Sequence, residues 1–161
     1  MISQNGVPQL NLTYRADDVD AVIPEAATLE GRKFILTILI GANDLEPVYS
    51  GNTTNFLNAL WAYTNARRAA GWTVGVATIL PKGSAQSGYA THNSARATVN
   101  AAILAAVGTE CDFSIDFAGD ATMGPDAAGN NVALYSDGLH PTATAHETYL
   151  EPIYRAAVNA I

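Results

Sequence analysis

The chain has 161 residues, a single-domain length, and its 48% hydrophobic and 14% charged residues describe a globular chain, not a disordered one. A net charge of −7 with only eight Lys and Arg leaves no cation cluster for phosphate, so neither nucleic acid nor an anionic membrane is expected as a partner. The single cysteine, Cys111, excludes an intrachain disulfide and a cysteine zinc cluster; beside a predicted strand it reads as a small buried apolar residue.

Residues 1–8 carry neither a basic region nor an apolar region of the signal-peptide kind, and no apolar run approaches the roughly 20 residues of a membrane span. A weak strand is predicted at 1–3 and an amphipathic helix at 16–27. Residues 34–40 (FILTILI) are almost continuously large and apolar. Both faces of such a strand need cover, which suits the interior of a parallel sheet. A helix follows at 53–70, with Phe56, Leu57, Leu60, Trp61 and Thr64 on one face and Gly71 as its stop. The second strand is 73–80 (TVGVATIL), ended by Pro81. The next helix, 92–107, has Ala95, Val99, Ala102, Ile103 and Ala106 at helical spacing. A shorter strand is predicted at 112–117. The last helix is predicted at 141–160, with Pro141 at its first position. Strands alternating with helices predict the α/β class: one domain over 1–161 with a parallel sheet and helices on both faces.

In such sheets function gathers at the C-terminal ends of the strands, which selects the loops 41–50, 81–91 and 118–140. The first opens Gly41-Ala42-Asn43-Asp44 directly after the buried strand. A carboxamide there can donate to a developing oxyanion, and Gly41 allows a tight exit; the bland alternative is an ordinary Asn-Asp turn. The third ends Asp137-Gly138-Leu139-His140-Pro141. Asp and His three apart can meet across a tight turn, the carboxylate fixing the ring's tautomer and leaving the other nitrogen as a general base. The alternative is a helix cap beside a solvated histidine. Ser84 and Ser87, in the loop after the second strand, either line a substrate site or belong to a plain Gly/Ser loop. Ser136 reads as a turn residue. A metal site built on Asp137, His140 and His146 is disfavoured by the absence of an i, i+4 pair, and no cofactor is expected.

Together, G-x-N-D after a hydrophobic strand and D-x-x-H-P opening the final helix resemble the SGNH (GDSL-type) hydrolase family. The similarity runs from about Asn5 to Ile161, through "TILIGANDL", "AAGWTVGVATILP" and "LYSDGLHPTATAHE". It implies a three-layer flavodoxin-like sandwich and hydrolysis of carboxyl esters, of short acyl or acetyl type, through an acyl-enzyme. By motif position it makes Asn43 an oxyanion donor, His140 the base and Asp137 its orienting carboxylate.

The departures are as specific. The family's G-D-S-x-x-x-G block, which carries the serine nucleophile, has no counterpart here. The one look-alike, Gly119-Asp120-Ala121-Thr122-Met123-Gly124, has alanine at the serine position. There is no G-x-S-x-G elbow either. The second family block has its nearest match in Asn5-Gly6-Val7-Pro8-Gln9, with Gly6 and Gln9 as candidate oxyanion or substrate residues and Gln9 in the place of the family's glycine. The resemblance therefore implies that the first strand, central in the family's sheet, is missing. The edge of 34–40 would then be open, and association into a homo-oligomer through that edge is expected. Three functions stay in view: an ester hydrolase impaired or not by the missing serine block, a non-catalytic binding or structural domain on the same scaffold, and direct attack by water with His140 as base.

Overall fold

The computed structural model describes residues 3–4, 7–8, 33–46 and 52–161. The helix predicted at 16–27, and Gly6 and Gln9, lie outside them. Two short strands, Ser3–Gln4 (β1) and Val7–Pro8 (β2), pair antiparallel. The apolar runs form the main sheet. Ile35–Ile38 (β3), Thr73–Ala77 (β4) and Phe113–Ile115 (β5) are all parallel, in the order β3-β4-β5. Among the described residues β3 pairs with β4 alone.

The helices are Thr53–Ala69 (α1), Tyr89–Ala105 (α2), Ala143–Ala145 (α3) and Glu151–Asn159 (α4); a π turn, His146–Leu150, joins the last two without a break. Alternation along β4 sorts the layers. Val74 and Val76 pack in one cluster with Phe56 and Leu60 of α1 and Val99 and Ile103 of α2. Ala77 packs in the other with Phe113, Ile115 and Leu150, against which Ile153 and Ala157 of α4 lie. The sheet is thus sandwiched between α1 and α2 on one face and the C-terminal helix on the other. The expected α/β class with a parallel sheet holds. Cys111 is buried, as expected, and burial raises its thiol pKa.

Local chemistry explains where each element stops. Asn52 caps α1 by accepting from Asn55 N–H at 3.1 Å. Its other end closes in a Schellman motif: Gly71 N–H donates to Arg68 C=O and Trp72 N–H to Arg67 C=O, with Gly71 at φ 91°. Gly75 is required by a close approach, since a Cβ there would lie 2.2 Å from Phe113 Cζ.

Four boundaries depart from the sequence expectation. The strands end early: β3 stops at Ile38, before the turn at Gly41 (φ 113°), and β4 stops at Ala77. Beyond Ala77, side chains of α2 replace the ladder: Asn100 accepts from Ile79 N–H at 2.7 Å and donates to Ile79 C=O at 2.9 Å. The middle helix starts at Tyr89, a turn earlier than 92, because Gly88 (φ 68°) makes the break and accepts from His92 N–H. Pro141 is not the first helical residue. Thr142 is the N-cap, its hydroxyl accepting from Ala145 N–H at 3.1 Å, and Pro141 lies before it in a bridge to Tyr135.

Candidate active site

Three loops converge at the C-terminal ends of β3, β4 and β5. The first leaves β3 through Gly41, where a Cβ would meet Ile79 Cδ1 at 2.5 Å and the positive φ already excludes most side chains. The turn is fixed by Leu45 N–H donating to Gly41 C=O at 3.2 Å and Glu46 N–H donating to Asn43 C=O at 3.1 Å. Asp44 is buried, whereas Asn43 is exposed. Among the described residues the Asn43 carboxamide has no hydrogen-bond partner, so its NH₂ is available to a ligand.

The second loop, 79–82, is held from below by one polar face of α2. His92, Asn93, Arg96 and Asn100 are all buried. Besides the two Asn100 bonds, Arg96 Nη1 donates to Ile79 C=O at 3.2 Å, and His92 Nε2 lies 3.1 Å from Leu80 C=O. Asn93 takes both backbone groups of Lys82, accepting from its N–H at 2.9 Å and donating to its C=O at 3.0 Å. Burial lowers the His92 pKa and keeps the ring neutral, so Nε2–H is the donor and Nδ1 is left without a partner. This face was not read from the sequence. Its signal was present, since 92, 93, 96 and 100 fall on one side of a helix, but polar residues at helical spacing ordinarily mark a solvated face.

The third loop carries the titratable pair. Gly138, at φ 83°, turns the chain so that Asp137 faces the residues after it. Asp137 Oδ1 accepts from His140 N–H at 2.7 Å and Leu139 N–H at 2.9 Å, and Oδ2 lies 2.7 Å from His140 Nδ1. The His140 backbone N–H, its ring and the Leu139 N–H hold the Asp137 carboxyl well below the usual carboxylate range. An ionised carboxylate only accepts, so Nδ1 carries a proton, and in the neutral imidazole Nε2 then presents its lone pair. The loop is braced from outside: Gly83 N–H donates to Gly138 C=O at 2.7 Å and Gln86 Nε2 to Asp137 C=O at 2.7 Å. With 73% of the His140 side chain and 50% of the Asp137 side chain exposed, the pair adds little to stability and is open to a ligand.

Asn43 and His140, which the family resemblance assigned to one site, line one cavity of about 290 Å³. Its walls are mostly apolar, with Leu39, Ile79, Leu80, Pro81 and Leu150 among them, and His146 also reaches it. Gly41 shapes the exit below Asn43 without lining the cavity. Ser84 and Ser87 do not line it either. Ser84 is occupied by Asn130, whose Oδ1 accepts from both its N–H (2.7 Å) and its hydroxyl (2.8 Å), and Ser87 is exposed. In the look-alike segment, Asp120 Oδ1 accepts from Thr122 and Met123 N–H at 2.8 Å each, which is ordinary turn chemistry. Among the described residues no group of three His, Cys, Asp or Glu side chains is placed to hold a metal ion.

The model of the GDSL-like Lipase/Acylhydrolase family matches residues 2–148. The chain belongs to this family. The match spans both the turn of Asn43 and the Asp137–His140 loop, and it supports hydrolase chemistry of the SGNH type in general. No curated protein matches the chain.

Proposed function

We propose that this chain is a carboxyl-ester hydrolase in which His140 is the general base, Asp137 its orienting carboxylate and Asn43 an oxyanion donor. The observation that carries this reading is the 2.7 Å contact between Asp137 Oδ2 and His140 Nδ1, which leaves Nε2 basic on the wall of the cavity that Asn43 also lines. His140 Nε2 takes the proton of the attacking O–H as its oxygen bonds to the ester carbonyl carbon. The carbonyl electrons move to oxygen, where the Asn43 NH₂ donates to the developing charge. Collapse of the tetrahedral species breaks the bond to the alkoxy oxygen, which leaves with the proton from His140. The small apolar cavity favours short acyl or acetyl groups.

Among the described residues no hydroxyl is hydrogen-bonded to His140 Nε2. The attacking O–H is either water or a serine, whose acyl-enzyme a water then opens by the same steps. The same observation, with Ala121 in the serine-like position, favours one second reading: a binding or structural domain on a hydrolase scaffold.

Initial rates with 4-nitrophenyl acetate, followed by an organophosphonate and intact-mass measurement, separate these cases. Saturable turnover with a serine adduct supports an acyl-enzyme; saturable turnover without an adduct supports direct attack by water. Ester binding with neither turnover nor adduct overturns the hydrolase in favour of the binding domain.

A further inference from the structure

An ion pair with a buried lysine joins two of the loops that form the cavity. Lys82 follows Pro81 in the second loop, and its side chain is only 1% exposed. Its ammonium donates to Glu46 Oε1, in the loop of Asn43, and the Glu46 side chain is 21% exposed. Taking an ammonium out of water is costly, and replacing such a pair with apolar groups is often neutral or stabilising. Stability is therefore a weak reason for this lysine to be here.

The connections on either side suggest a stronger one. Asn93 of α2 grips both backbone groups of Lys82. Lys82 reaches across to the Glu46 carboxylate, and the Glu46 N–H donates to Asn43 C=O at 3.1 Å. A series of hydrogen bonds thus runs from a well-packed helix to Asn43, which lines the cavity. Within that turn, among the described residues, Leu45 N–H also donates to Gly41 C=O. An oxyanion donor acts only from a fixed position, and a displacement of about 1 Å can cost on the order of 10²-fold in rate.

We infer that Lys82 and Glu46 are positioning residues, a strut anchored by Asn93 that holds Asn43 in register with His140. The inference rests on the reading of Asn43 as an oxyanion donor, but the placement of the turn can be measured without any activity.

The experiment compares the wild-type chain with Glu46→Gln and with the double variant Lys82→Met/Glu46→Leu. The double variant removes both charges at once, so no buried charge is left unpaired, whereas Glu46→Gln keeps an amide oxygen as acceptor but leaves the Lys82 ammonium without its counter-charge. Two readouts are taken. One is the Asn43 side-chain amide signal in a ¹⁵N–¹H spectrum, assigned by its loss in Asn43→Ala, together with the hydrogen exchange of the Glu46 N–H. The other is kcat and KM for 4-nitrophenyl acetate.

The strut predicts that in the double variant the Asn43 signal shifts and its order falls, and that exchange at Glu46 speeds up, while the melting temperature is kept. It also predicts that kcat falls on the order of 10²-fold with KM unchanged, and that Glu46→Gln, which keeps an acceptor, lies between. An unchanged Asn43 signal with unchanged Glu46 exchange in the folded double variant overturns the strut. If the wild type has no turnover, the proposed hydrolase fails while the amide readout still decides the strut. Loss of order at Asn43 with unchanged kcat upholds the positioning and removes Asn43 from the chemistry.

Discussion

Ester turnover by His140→Ala is expected to fall at least about 10²-fold, because a positioned general base contributes typically 10²–10⁴-fold. The fold should not change. The side chain is 73% exposed and, among the described residues, its one side-chain hydrogen bond is to Asp137, so the melting curve should overlay that of the wild type. Asp137→Asn should also reduce turnover, by facing the ring with an amide that no longer enforces a proton on Nδ1. Comparing kcat/KM of the three proteins on one ester, with melts alongside, checks both statements. A His140→Ala protein of undiminished rate would place the hydrolysis elsewhere.

Asn43→Ala is expected to reduce kcat by roughly 10²–10³ with little effect on stability, since the donor's bond forms chiefly in the transition state. The geometry supports that separation. The turn is closed by backbone bonds of Gly41, Leu45 and Glu46, none of which needs the carboxamide. Measuring kcat, KM and melting temperature distinguishes the roles. A fall in melting temperature with kcat preserved would make Asn43 a turn residue.

What could be read in the sequence divides along physical lines. The runs FILTILI and TVGVATIL were legible as strands because their apolar character is continuous, although Ile35, Leu36 and Thr37 of β3 are only partly buried. The Asp137–His140 contact was legible because three residues and one glycine suffice to make it. Strand ends were less visible. Ile79 leaves the ladder because Asn100, 21 residues later, takes both of its backbone groups. No local pattern announces such a capture. The Lys82–Glu46 pair was illegible for a similar reason: its partners are 36 residues apart, and a lysine after a proline in a glycine-rich loop reads as solvated. The meeting of Asn43 and His140 in one cavity followed neither from spacing nor from composition. It came from the parallel order of β3, β4 and β5, which brings the C-terminal ends of these strands to one edge.

The pH dependence of kcat/KM tests most directly whether the Asp137–His140 pair is the base. The Asp137 carboxyl is held well below the usual carboxylate range, so it is already ionised through the range in which turnover is measured and adds no step of its own there. Turnover should rise along a single one-proton acid limb, and the residual rate of His140→Ala should lack that limb. An acid limb that persists unchanged in His140→Ala, or a second ionisation in the ordinary carboxylate range that Asp137→Asn removes, would contradict the account.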